Sequence, residues 1–232
     1  MTRLRVIAFD ADDTLWHNET YFRFTETRFC ELLEPYASHD HLSDRLLAIE
    51  RRNLELFGYG AKGFTLSLIE TALEVTEQRV PGATIAEILR LGKEILAQPV
   101  EMLDGAAEAI EALQTDYRLA VVTKGDLIHQ ESKAARSGLA DQFELVEVVT
   151  EKDEATYGRF FAKLGVEPES ACMVGNSVKS DVLPVLGLGG HAVHVPYHLT
   201  WAMEVADAPA PDHPRFARVD SLHELPAVVS RW

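Results

Sequence analysis

Two acids near the amino terminus, Asp10 and Asp12, carry the first chemistry in this chain. A spacing of two puts both carboxylates on one side of an extended backbone. Such a pair suits a nucleophile beside a general acid/base, or a metal ligand beside a base. An isolated Asp-x-Asp is more often a solvated strand end, so its neighbours matter. Thr123-Lys124-Gly125-Asp126 sets a hydroxyl next to a glycine turn that opens a helix, and can present donors to an anion. Lys152, followed by Asp153, can neutralise carboxylates and hold an anion. Gly175-Asn176-Ser177 and Asp181 supply an amide oxygen and a carboxylate, the ligands a hard divalent cation takes. Each place also has an ordinary reading. Asp126, Asp153 and either Asn176 or Ser177 can cap helices, and Asp181 suits a first helical turn.

The elements that must position these residues decide between the readings. Residues 4–9 form a short apolar run of strand formers that stops at Asp10-Ala11-Asp12-Asp13-Thr14. From about residue 21 to 96 the apolar spacing is helical, and Pro35, Gly58-Tyr59-Gly60 and Pro81-Gly82 punctuate four helices. Beyond Pro99 helices and strands alternate. Helices are predicted over 104–114, 127–136, 154–164 and 178–186, and strands over 119–123, 145–149, 171–175 and 192–195. A closing helix spans 222–229. That alternation means parallel strands with crossovers. The architecture expected is α/β: a doubly wound, Rossmann-like parallel sheet with the first strand in its middle, and an all-helical cap inserted after that strand. Residues 1–16 plus 101–232 make the core and residues 17–100 the cap. Ligands bind beyond the carboxyl ends of strands in such sheets. The four places above are four strand ends on one rim, and together they outweigh their separate ordinary readings.

Composition narrows the partners. The 232 residues hold 22 Lys and Arg against 37 Asp and Glu, a net charge of −15. A surface that negative repels nucleic acid and anionic lipid, so neither is expected as a partner. A small anionic substrate survives, because a cation can reverse the field at one site. Two cysteines, Cys30 and Cys172, make no disulfide framework. The apolar run after Met1-Thr2-Arg3-Leu4-Arg5 ends at Asp10, too early for a secretory leader. A cytoplasmic protein is expected, and a homodimer stays open.

With these residues in hand, the chain resembles the haloacid dehalogenase superfamily of hydrolases carrying a helical cap of the first type. Asp10-Ala11-Asp12-Asp13-Thr14-Leu15 matches the first motif, and Leu119-Ala120-Val121-Val122-Thr123 the second. Lys152 matches the third. Residues 175–181 match the fourth, except that Asn176 replaces the usual Asp. The resemblance implies a phosphatase acting on a small phosphorylated metabolite through an aspartyl-phosphate. Asp10 would be the nucleophile and Asp12 the acid/base. Thr123 and the Lys124 N–H would hold the phosphoryl oxygens, and Lys152 would balance the carboxylates. Mg²⁺ would lie on Asp10, the Asp12 backbone carbonyl, Asn176 and Asp181. Thr14 would brace the loop. Asp12 needs a raised pKa to protonate the leaving alcohol, and Asp10 next to it in a closed site would supply one. Dehalogenases and phosphonate-cleaving members lack an acid at this position, so Asp12 favours phosphate esters. A phosphomutase keeps the same acid and is the alternative enzyme. A silent binding or regulatory module is the alternative outside catalysis, with Asn176 in its favour.

The cap would select the rest of the substrate. Its tip, Phe57-Gly58-Tyr59-Gly60-Ala61-Lys62-Gly63-Phe64, offers Tyr59 and Lys62 as contacts, against the plainer reading of a helix-helix turn with a solvated lysine. Trp16 and His17 follow the catalytic loop closely enough to line the site, although Trp16 is equally a core residue. Arg51 and Arg52 read as a solvated helix face. His191 and His194 would face opposite sides of a strand, which argues against zinc with His198. Residues 197–204 read as a loop and short helix near the rim, and residues 207–214 as a Pro-rich loop.

Overall fold

The computed structural model describes residues 3–232; Met1 and Thr2, part of the stretch considered above for a leader, lie outside the described residues. The chain divides into two compact units. One contains the stretch up to Glu19 with residues 100–124 and 130–232; the other contains residues 20–99 and 125–129.

The first unit is built on a parallel sheet. Its strands are β1 (Val6–Phe9), β2 (Arg118–Lys124), β3 (Leu145–Val149), β4 (Ala171–Gly175), β5 (His191–His194) and β6 (Phe216–Arg218). Their order is β3-β2-β1-β4-β5-β6, and every pairing is parallel. β1 is therefore central, and all four of its residues are buried. Alternate residues serve opposite faces. Ile7 and Phe9 join Leu119, Val121, Cys172 and Val174 in one core layer. Val6 and Ala8 join Ala120, Val122, Ala171 and Met173 in the other, beneath Tyr157, Phe160 and Phe161. Burial on both faces is why these strands read as continuous apolar runs.

Helices α1 (Glu19–Leu33), α2 (His39–Phe57), α3 (Ala61–Val75) and α4 (Gly82–Ala97) follow β1. They bury their own core, which includes Phe29, Leu33, Leu42, Leu46, Leu68, Ile88 and Ile95. Within the sheet unit the chain leaves and returns side by side. His17 N donates to the Glu101 carbonyl at 2.9 Å, and Leu103 N to the Leu15 carbonyl at 2.9 Å. A whole helical unit can enter at that point without disturbing the strands.

After it come α5 (Ala106–Leu113), α6 (Leu127–Arg136), α7 (Glu154–Lys163), α8 (Leu183–Gly187) and α9 (Leu225–Val229). Three details differ from the sequence reading. β6 is a sixth strand, three residues long, at the sheet edge beyond the Pro-rich loop. The helix expected over 178–186 opens as a single π turn, Val178–Val182, before α8. The closing helix begins as a 3-10 turn. No helix among the described residues is long and apolar enough to cross a membrane.

Candidate active site

β1 delivers Asp10 to the rim. Its backbone N–H still donates to the Val174 carbonyl at 2.9 Å, the last bond toward β4. The chain then turns sharply. Asp13 takes a positive φ of 62° and accepts the N–H groups of Asn18 at 2.8 Å and Glu19 at 3.0 Å. The third acid of the motif thus secures the entry to α1. Thr14 braces the loop as expected: its hydroxyl accepts the Asn176 N–H at 3.0 Å and lies 3.3 Å from Asp10 Oδ2 and 3.4 Å from Asn176 Oδ1.

Three of the singled-out residues converge at one point. The Lys152 ammonium pairs with Asp10 Oδ1 and, at 2.7 Å, with Asp181 Oδ1. Asp181 is further held by the Ser177 N–H at 2.9 Å and the Tyr157 hydroxyl at 3.4 Å. Tyr157 also donates to the Ser180 carbonyl at 3.0 Å, inside the π turn that carries Asp181. Gly175 is a packing requirement here, because a Cβ on it would strike the Asp181 carboxylate.

Burial pushes the Asp10 pKa up to about 7, against the pull of Lys152, and Asp181 adds to the rise. Burial alone would lower Lys152, but the two carboxylates outweigh it and raise its pKa. One ammonium serving two buried carboxylates leaves negative charge uncompensated. Among the described residues no group of three or more His, Cys, Asp or Glu is arranged to hold a metal. The donors near Lys152 are two carboxylates and, through Thr14, the neutral Asn176 amide oxygen. That all-oxygen set and its excess charge fit a hard divalent cation.

Asp12 departs from expectation. Its Oδ1 accepts from Trp16 Nε1 at 2.7 Å and Lys133 Nζ at 2.5 Å, and its Oδ2 from Gln130 Nε2 at 2.8 Å. Burial favours the neutral acid, yet Lys133 and these hydrogen bonds outweigh it and hold the pKa below the usual range. The raised pKa expected from Asp10 is therefore not present in this state. The sequence shows Asp10 beside Asp12 but not Lys133, which arrives from α6. Trp16 is both core, 1% exposed, and a donor to Asp12.

Thr123, buried at the end of β2, accepts Gln130 Nε2 at 3.3 Å. The Lys124 side chain reaches Glu204 at 2.6 Å, Ser180 Oγ at 2.9 Å and Glu151 at 3.3 Å. Glu204 also accepts from Ser177 Oγ at 2.6 Å and Ser180 Oγ at 2.5 Å. Residues 197–204, left without a role by the sequence, thus tie the second strand end to the fourth. His17 bonds to the Tyr197 hydroxyl at 2.7 Å. His194 Nε2 lies 3.0 Å from the Asn176 carbonyl, and His191 packs on Trp232.

Tyr59 and Lys62 belong to the other unit. There Lys62 pairs with Asp126 at 2.7 Å, and Arg52 pairs with Glu70 at 2.8 Å on a solvated face.

Residues 4–186 match the family model for haloacid dehalogenase-like hydrolases. The chain is similar to a solved haloacid dehalogenase-like family hydrolase from Xanthomonas campestris, at 41% identity and a TM-score of 0.87, over 100% of this chain and 96% of that one. It shares its fold with a 2-haloacid dehalogenase from Pseudomonas syringae pv. Tomato, at 20% identity and a TM-score of 0.65, over 99% of both chains. It also shares it with a HAD phosphatase from Thermococcus onnurineus, at 20% identity and a TM-score of 0.62, over 97% and 98% of the two chains. No curated protein matches the chain.

Proposed function

The chain belongs to the haloacid dehalogenase-like hydrolases, and from that premise we propose that it is a Mg²⁺-dependent phosphatase. It hydrolyses a small phosphomonoester through an aspartyl-phosphate on Asp10. Fold neighbours include both a dehalogenase and a phosphatase, so the fold does not choose between them. The observation that carries the reading is Asp12, a second acid two residues beyond Asp10, its carboxylate held by Lys133, Trp16 and Gln130. An alkoxide leaving group needs a proton; a halide does not.

Asp10, oriented by Lys152, attacks phosphorus as the carboxylate. An O–P bond forms to Asp10, the bond to the alcohol oxygen breaks, and Asp12 gives that oxygen a proton. Asp12 then takes a proton from water, whose oxygen displaces Asp10 and releases inorganic phosphate. The Lys133 ammonium and the hydrogen bonds on Asp12 favour its carboxylate, the form that the second half-reaction needs. A phosphate dianion arriving beside it raises its proton affinity for the first half. The Thr123 hydroxyl and the Lys124 N–H hold the phosphoryl oxygens. Mg²⁺, when held by Asp10, Asp181, Asn176 Oδ1 and the Asp12 backbone carbonyl, supplies the positive charge that lets a dianion approach a carboxylate. The two free thiols, Cys30 and Cys172, suit a reducing compartment such as the cytoplasm.

A panel of phosphate esters, run with and without Mg²⁺ beside Asp10→Asn, tests the reading. Mg²⁺-dependent phosphate release by the wild type alone, with no sugar bisphosphate added, supports it. Equal release by Asp10→Asn rejects the covalent mechanism. No turnover on any ester by metal-loaded protein favours a binding module.

A further inference from the structure

Gln130 and Lys133 stand three residues apart on α6, on one helix face. Both are buried, at 4% and 6% exposure. A long polar side chain at such a position is costly to bury unless its partners require it. Here the shared partner is Asp12. Lys133 and Trp16 claim one of its oxygens and Gln130 the other, so rotation of the carboxylate breaks contacts on both sides. The clamp is itself anchored. Lys133 Nζ donates to Asn18 Oδ1 at 3.0 Å, and Gln130 Nε2 to the Lys124 carbonyl at 2.6 Å. The same amide is 3.3 Å from the Thr123 hydroxyl, so the acid/base and the phosphate-holding group hang on one side chain. Gln130 Oε1 remains buried without a hydrogen-bond partner among the described residues.

We propose that Gln130 and Lys133 are positioning residues that fix the orientation of the Asp12 carboxyl toward the leaving-group oxygen. The inference rests on the phosphatase reading and deepens it. Their effect must therefore scale with how much the leaving group needs a proton. A fully structural role would lower all rates alike.

The experiment measures kcat/KM of the Mg²⁺-loaded full chain on p-nitrophenyl, phenyl and benzyl phosphate, whose leaving groups run from good to poor. Wild type is compared with Asp12→Asn, Lys133→Met, Lys133→Arg, Gln130→Met and Gln130→Asn. Lys133→Met and Gln130→Met are expected to lose about threefold on p-nitrophenyl phosphate and about a hundredfold on benzyl phosphate, with the loss in kcat rather than KM. Lys133→Arg, which keeps the cation, regains about tenfold on the benzyl ester. Gln130→Asn keeps the amide on a shorter arm, and supplies the same comparison if a Met variant does not fold. Equal losses on all three esters by folded variants, or no loss, overturn the inference. If Asp12→Asn shows the leaving-group dependence and the α6 variants do not, the positioning role alone falls. If Asp12→Asn lacks it, the acid/base reading falls and the positioning role with it.

Discussion

Lys152 pairs with Asp181 at 2.7 Å, with 2% and 1% of the two side chains exposed, and the same ammonium pairs with Asp10. Removing the cation strands two buried carboxylates. Lys152→Met is expected to destabilise the fold by about 3–5 kcal/mol, the range for breaking a buried pair from one side. Phosphate release should fall about a thousandfold, since Asp10 loses its counter-charge. Urea unfolding and a phosphate assay check the two effects separately.

Gly175→Ala places a methyl against the Asp181 carboxylate. Overpacking at so constrained a position should destabilise by about 1–3 kcal/mol. Because the clash falls on a residue paired with Lys152, activity should drop by about tenfold or more even well below the melting temperature. A variant as stable and as active as wild type would show that Asp181 yields freely.

Asn176 lends the site a neutral oxygen where another carboxylate would add charge. Asn176→Asp is expected to lower the Mg²⁺ concentration giving half-maximal activity by about tenfold, since ligand charge tunes cation affinity. Without metal the variant should melt lower than wild type, because it adds repulsion beside Asp10 and Asp181. Chelation should abolish turnover in both proteins, and Mg²⁺ should restore it. Thermal melts with and without Mg²⁺ read the stability half of this.

Glu204 gives a pH-dependent prediction. Burial favours its neutral form, but Lys124 and the Ser177 and Ser180 hydroxyls outweigh that and hold its pKa below the ordinary 4.5. A depressed folded-state pKa adds stability that is complete above the unfolded value and is lost as pH falls through the folded one. Wild type should exceed Glu204→Gln by about 1–2 kcal/mol near neutral pH, the size of a hydrogen-bonded buried charge. The gap should close as the pH is taken well below 4.5. Urea midpoints across that span decide it; a gap that stays constant with pH would contradict the arrangement.

The sheet was legible because its strands are buried on both faces and alternate with well-punctuated helices. Asp10, Lys152 and Asp181 could be placed on one rim for the same reason, and they meet around one ammonium. What surrounds Asp12 was not legible. Gln130 and Lys133 lie in His-Gln-Glu-Ser-Lys, a stretch that reads as a solvated helix face, and only the docking of α6 turns those two inward. The expected pKa of Asp12 reversed for that reason. Tyr157 packs with Phe160 and Phe161 on the core face of α7, and nothing in the residues around it marks that its hydroxyl reaches Asp181. Glu204 sits beyond the last recognised motif in an irregular stretch, so no periodicity marks it. β6 is too short for alternation to show.

The central place of β1 also bears on how the molecule comes into being. Val6 lies beside Arg118 on one side and Ala171 on the other, so both neighbours of the first strand are synthesised long after it. Pairings that span so much chain form slowly. A nascent polypeptide therefore carries Asp10 at the end of a strand with exposed edges until β4 has left the ribosome. A fragment that stops short of β4 is expected to aggregate through those edges, and it lacks Asp181, so the cluster around Lys152 is completed only late in synthesis.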